Sequence, residues 1–130
     1  MAGINVWAVL VAAVSSFVLG GLWYSKPLFG ERWSRYAGMA GKQPGHPAKV
    51  FGIAFVFALI AAAAFAFLVG PDPAPVAALH SALIVGGGFV ATSFGINYQF
   101  GGRPFGMWLI DAGYHLLQFV LYALVYAYWP

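Results

Sequence analysis

Asp111 and His115 are the pair in this sequence best suited to chemistry: four residues apart on a helix, they share one face and can exchange a proton or form an ion pair. They do not stand alone. Trp108, Asp111, His115, Gln118, Tyr122, Tyr126 and Trp129 fall within an arc of about 80° when each residue advances about 100°, so a polar stripe runs along an otherwise apolar segment. Other polar residues reach matching heights when ~1.5 Å per residue is counted from the end of each segment that carries basic residues. Asp111 then lies at ~9 Å, His115 at ~15 Å, Ser93 and Thr92 at ~11 and ~12 Å, Ser16 and Ser15 at ~12 and ~14 Å, and Asn97 at ~5 Å. The candidate site is Asp111, His115, Thr92, Ser93, Asn97, Ser16 and Gln118. A carboxyl group, an imidazole and hydroxyls are the parts of a proton relay or a small-cation site. The same groups could also form an interhelical hydrogen-bond knot that fixes helix register and does nothing else.

Other chemistry has less to stand on. Asp111 and His115 are the only firm candidate metal ligands, and a zinc site wants at least three, so no metal is expected. His80 lies ~6 Å and His115 ~21 Å from the outer ends of their segments, a mismatch that keeps them from ligating one haem. His80 is expected to meet Tyr122 or Tyr126, and His46, between Gly45 and Pro47, reads as a solvated loop residue. There is no cysteine, nucleophile elbow or paired carboxylate, so no catalytic residue and no cofactor is assigned.

The elements that must position these residues follow from composition. Of 130 residues, 62% are hydrophobic and only 7% charged, far below the roughly one quarter of a soluble domain. Nine charges cannot supply a polar shell, so the bilayer must be the solvent. A net charge of +3 gives no case for nucleic acid.

Four apolar stretches, about 4–24, 50–69, 76–100 and 105–129, each reach the ~20 residues that cross a ~30 Å hydrocarbon layer. The expectation is an all-α integral membrane protein: one four-helix bundle domain over residues 1–130. Proline and glycine punctuate the breaks, at Lys26-Pro27, Pro44-Gly45-His46-Pro47, Gly70 to Pro75, and Gly101-Gly102-Arg103-Pro104. No positive residue precedes the first span, which is also too long for a signal-peptide core, so it is expected to remain as an anchor.

Lys26, Arg32, Arg35, Lys42 and Lys49 fall between spans one and two, and Arg103 between spans three and four. With four crossings these loops share one side, which the positive-inside rule makes cytoplasmic, placing both termini outside a bacterial inner membrane. Trp23, Tyr24, Trp33, Tyr36, Tyr98 and Trp108 then mark the inner boundary. Between Lys26 and Lys49, Phe29, Trp33, Tyr36 and Ala40 recur at helical spacing, which predicts a short interfacial helix. On it Arg32, Arg35, Trp33 and Tyr36 are candidate lipid-headgroup contacts, or simply an ordinary positive-inside loop with aromatic anchors.

Membrane helices gain nothing from hydrophobicity when they associate, so small residues must allow close approach. Span one offers Ala8, Ala12, Ser16 and Gly20; span two Ala54, Ala58, Ala62 and Ala66; span three Gly87, Ala91 and Gly95. Phe55 and Phe65 fall off the alanine stripe and are expected to face lipid. Some stripes could instead meet a second copy, so a homo-oligomer is expected, with membrane lipids and a small solute or ion as further partners. A faint internal echo also pairs Gly21-Leu22-Trp23-Tyr24 with Gly95-Ile96-Asn97-Tyr98, each ending a span on the basic side.

The motifs Leu22-Trp23-Tyr24-Ser25, Pro27, Phe29-Gly30, Trp33, Gly88-Phe89-Val90-Ala91-Thr92-Ser93, Asn97, Arg103-Pro104 and Ile110 to Leu116 cover nearly the whole chain. In these the sequence resembles the bacterial membrane family catalogued as domain of unknown function 1761. The resemblance implies a small four-helix membrane protein and no activity. It also implies that Asn is accepted at the position of Asp111, which favours hydrogen bonding over a titrating carboxyl. Two function classes remain: a homo-oligomer whose polar layer binds or conducts a small solute, ion or proton, and a non-catalytic scaffold subunit whose polar layer only packs helices.

Overall fold

A computed structural model describes residues 4–39 and 45–130. Ala40, Lys42 and Pro44, used above in the interfacial helix, the charge count and the second break, lie outside the described residues. Helix α1 is Val6–Trp23, α2 Gly30–Ala37, α3 Pro47–Val69, α4 Pro75–Phe100 and α5 Phe105–Ala127. All but α2 are long and apolar enough to cross a membrane, and the described residues hold no strand. The chain is a four-helix membrane protein with a short helix between the first two spans.

Local chemistry sets the helix ends. The Asn5 side chain accepts from the backbone N–H groups of Trp7 and Ala8 at 2.9 and 3.1 Å, satisfying donors that the first turn leaves free. His46 does the same for α3: its Nδ1 accepts from the Ala48 N–H at 3.2 Å while Pro47 opens the helix. This exposed histidine is therefore a helix cap. Between α1 and α2 the chain folds back on itself, with Gly30 N–H donating to the Ser25 carbonyl at 2.9 Å. A Cβ at Gly30 would lie 2.2 Å from the Tyr24 carbonyl oxygen, so only glycine admits this turn.

Helix α5 is the axis, packing against each of the other helices. Its polar stripe faces them as expected, with Asp111, Gln118, Tyr122 and Tyr126 all buried. The small-residue stripes of α1 and α3 are buried at Ala8, Ala12 and Ser16 and at Ala58, Ala62 and Ala66, while Ala54 is exposed. Phe65, expected to face lipid, is only 2% exposed and lies against Phe119, Tyr122 and Tyr126. The four-residue stripe was too narrow a guide. Position 65 is three residues after Ala62 and shares its face, where a ring fills the volume that alanines leave. Phe55 stands three before Ala58 and meets Phe17 edge-on at 5.2 Å, half-buried.

The middle of α4 departs from α-helical geometry. Leu83–Ala91 is π-helical, each turn closing one residue later than in an α-helix. The buried positions of α4 are thus Ala78, Ala82 and Gly86, then Ala91 after a five-residue step. Of the expected Gly87, Ala91, Gly95 stripe this replaces Gly87 with Gly86, while Ala91 is buried and Gly95 lies against Trp108 of α5. A Cβ at Gly86 would lie 3.0 Å from the Leu116 Cα, whereas one at Gly87 meets nothing closer than a Leu116 methyl at 3.8 Å. Of the α4 glycines, Gly86 is therefore the one that meets the α5 backbone, and the wider coil carries that face round to Ala91.

Candidate functional site

Asp111 is 6% exposed and holds three aromatic donors from three different helices or their ends. Its Oδ1 accepts from the Tyr24 hydroxyl at the end of α1. Its Oδ2 accepts from the Tyr98 hydroxyl near the end of α4 and from Trp33 Nε1 on α2, the latter at 3.2 Å. Both oxygens accept and every donor comes from an aromatic side chain. The result is a polar lock that ties α1, α2 and α4 to α5 at one height. The sequence echo acquires a physical meaning here, because Tyr24 and Tyr98, which it aligns, reach the two oxygens of the same carboxyl group. Trp23 adds a strap beside the lock, its Nε1 donating to the Ile110 carbonyl at 2.8 Å.

His115 takes no part in that lock. Its Nδ1 lies 2.7 Å from Gln118 Oε1, and its ring stacks on Phe94 at 4.9 Å and 17°. The pairing expected between Asp111 and His115 is replaced by two separate networks, because Asp111 is filled by the aromatics and Phe94 holds the imidazole plane. From His115 the bonds run along α5: Gln118 Nε2 donates to the Tyr122 hydroxyl at 2.8 Å, and Tyr122 donates toward Ser16 Oγ at 3.2 Å and the Ala58 carbonyl at 3.3 Å. Ser16 Oγ donates to the Ala13 carbonyl at 2.8 Å, which ends the chain. With Gln118 Nε2 directed to Tyr122, its Oε1 faces His115 Nδ1, an arrangement that fits the tautomer with its proton on Nδ1 and leaves Nε2 as the ring's other polar atom.

The remaining expected residues lie elsewhere. Thr92 Oγ1 donates to the carbonyls of Gly88 at 2.8 Å and Phe89 at 3.0 Å, and Ser93 Oγ to that of Phe89 at 2.6 Å. Both hydroxyls thus bond back to their own helix. Ser93 and Asn97 are exposed on one flank of α4 and Thr92 on the other, beside Gly95 and Trp108, and neither hydroxyl joins Asp111. Of the proposed headgroup contacts, Arg32 and Arg35 are exposed, but Trp33 turns in to Asp111 and Tyr36 packs over Gly106, where a Cβ would meet its hydroxyl at 2.5 Å. His80 is exposed and meets neither buried tyrosine; Tyr126 instead donates to the Ala62 carbonyl at 2.6 Å. Among the described residues no group of three or more His, Cys, Asp or Glu side chains could hold a metal ion.

The residues missed from the sequence are the partners of Asp111. The sequence marks Tyr24, Trp33 and Tyr98 as boundary anchors, yet it also places Asp111 only ~9 Å from that boundary, within reach of long aromatic side chains. That coincidence of depth was the available signal.

Over His115 the structure opens. Helix α3 meets α4 near their shared turn, and further down a groove of about 390 Å³ separates them. Ala54, Phe57, Ala58 and Ala61 of α3, Phe17 of α1 and Val90 of α4 line it, with Tyr114, His115, Gln118 and Phe119 of α5. No described buried side-chain nitrogen or oxygen lacks a hydrogen-bond partner. His115 Nε2 has none among the described residues and so is not fully buried, and His115 is one of the residues that line the groove. The arrangement is an apolar cleft with one imidazole in its lining, the ring held by Gln118 and Phe94.

A family model described as protein of unknown function (DUF1761) matches residues 7–127. The chain belongs to that family. Neither the curated proteins nor the solved structures gave a match.

Proposed function

We propose that this membrane protein binds a small lipid-soluble solute in the groove over His115, the solute's hydroxyl or N–H donating to Nε2 and its apolar body lying between α3 and α4. The observation that carries this reading is the His115 imidazole, its Nε2 without a partner among the described residues, in the lining of an apolar groove of about 390 Å³. Such sites are mostly apolar with a few placed polar groups. Gln118 and Phe94 hold the ring from two sides, so a ligand would find the acceptor already oriented.

Binding is better supported than conduction of an ion or proton. The bonds from His115 run through the Gln118 amide and stop at the Ala13 carbonyl, so they offer no continuous path across the membrane. A second reading, a scaffold subunit, is favoured by the Asp111 lock, whose geometry is fully explained by packing.

The setting is a bacterial inner membrane with both termini outside, because Lys26, Arg32, Arg35, Lys49 and Arg103 all flank one side of the bundle and the turn from Gly70 to Pro75 carries no basic residue. Homo-oligomerisation fits the polar flank of α4, where Ser93 and Asn97 are exposed and a second copy would cover them.

The test is photolabelling in liposomes with an alkylated phenol carrying a diazirine. The reading predicts saturable labelling of α3 and α5 near Ala58 and His115. Ala54→Phe, which fills the groove from an exposed position, should abolish it. Labelling that never saturates, or that ignores Ala54→Phe, would remove the binding reading and leave the scaffold.

A further inference from the structure

A second groove, separate from that over His115, lies on the opposite side of α4 at its basic end and has a volume of about 350 Å³. We propose that it is a binding site for an anionic phospholipid, its phosphate held by Arg103 and Gln99 and the upper part of an acyl chain resting along Ile96 beside Trp108. The loop that carries Arg103 is folded for the purpose. Gly102 adopts a left-handed φ of 67°, and the Arg103 N–H donates to the Tyr98 carbonyl at 2.9 Å, which brings the arginine back beside the last turn of α4. Arg103 and Gln99 are both exposed and both line the groove.

Charge complementarity names the ligand. The chain has three acidic residues: Asp111 is filled by its aromatic donors, Glu31 belongs to α2, and Asp72 belongs to the turn at the far end of the bundle. Arg103 is thus a guanidinium fork at the membrane boundary with no acidic group of its own loop or helix end to take, and a phosphate matches that fork with two parallel hydrogen bonds. The rest of the groove is built for a lipid rather than a free anion. Trp108 and Phe105 form one wall with ring centroids 5.2 Å apart, and Trp108 is pinned by its Nε1 donating to the Ala91 carbonyl at 2.8 Å. Gly95 lets the indole lie flat on α4, since a Cβ there would be 3.2 Å from Nε1. Cation and amide at the mouth with an apolar, aromatic wall running toward the bilayer centre follow the order of headgroup and chain in a phospholipid.

The experiment uses the full chain in phosphatidylcholine vesicles with rising fractions of phosphatidylglycerol brominated on its acyl chains. The signal of Trp108 is taken as the difference between wild type and Trp108→Phe. Saturation of quenching at a phosphatidylglycerol fraction below that of random lipid mixing is expected. Arg103→Gln should raise the half-saturating fraction about fivefold, the worth of one basic side chain at an anionic surface. Lys49→Gln removes the same charge outside the groove and should shift the half-saturating fraction much less. Equal behaviour of Arg103→Gln and wild type, or an equal shift from Lys49→Gln, overturns the proposal. In lipid-free micelles, inorganic phosphate should leave Trp108 emission unchanged; an Arg103-dependent response to phosphate alone would assign the site to a soluble anion and also overturn it.

Discussion

Replacing Asp111 tests the lock by chemistry and by shape. In Asp111→Asn the amide oxygen can occupy the place of Oδ2 and keep the bonds from Trp33 and Tyr98, while the amide nitrogen donates to the Tyr24 oxygen, since a phenol accepts as well as donates. The expected cost is below about 1 kcal/mol. Asp111→Leu leaves two hydroxyls and an indole N–H with no acceptor. At about 0.6 kcal/mol per membrane hydrogen bond the loss is about 2 kcal/mol, and at the full penalty for three stranded donors it reaches about 9 kcal/mol. The lower end applies, because Tyr24, Trp33 and Tyr98 are only half-buried and recover bonds to water or headgroups. The assay is reversible unfolding in mixed detergent micelles followed by tryptophan fluorescence, in which Trp33 should also shift to the red as α2 comes away. A Leu variant as stable as Asn would show that the lock does not hold the helices. An Asn variant as damaged as Leu would show that charge, rather than acceptor position, is what matters.

Gly86→Ala places a methyl 3.0 Å from the Leu116 Cα and should lower stability by about 1–3 kcal/mol, whereas Gly87→Ala, with 3.8 Å to a movable methyl, should be neutral or stabilising by about 0.5–1 kcal/mol; thermal unfolding of the two variants gives the comparison. Gly106→Ala drives a methyl into Tyr36 and should release α2, seen as faster proteolysis between α1 and α3 with the four spans intact. Reporters placed after Trp129 and near Gly41 should read opposite sides, periplasmic and cytoplasmic; the reverse pattern would invert the orientation.

The spans were legible because bilayer thickness fixes helix length and proline and glycine mark the breaks. The direction in which the polar stripe of α5 faces was legible too, since Asp111 on a lipid face would be too costly. Partners were not. Asp111 and His115 are correctly placed on one face by helical spacing, but spacing cannot show that Tyr24 and Tyr98 arrive first or that Phe94 holds the imidazole plane. The α4 stripe failed for a different reason: the Gly86-Gly87-Gly88 run lies in a π-helical segment, and a four-residue rule applied across it selects Gly87 in place of Gly86. Depth alone matches Thr92 and Ser93 to Asp111, and depth says nothing about which side of a helix a residue occupies.

The central claim, an accessible His115 Nε2 that accepts a hydrogen bond from a membrane-dissolved ligand, is tested most directly by nitrogen-15 NMR of the protein with labelled histidines in nanodiscs during titration with an alkylated hydroquinone. His115 Nε2 should move upfield in a saturable manner while Nδ1, held by Gln118, stays nearly fixed, and Ala54→Phe should remove the response. An Nε2 resonance that does not move, or that moves equally in Ala54→Phe, would contradict the claim.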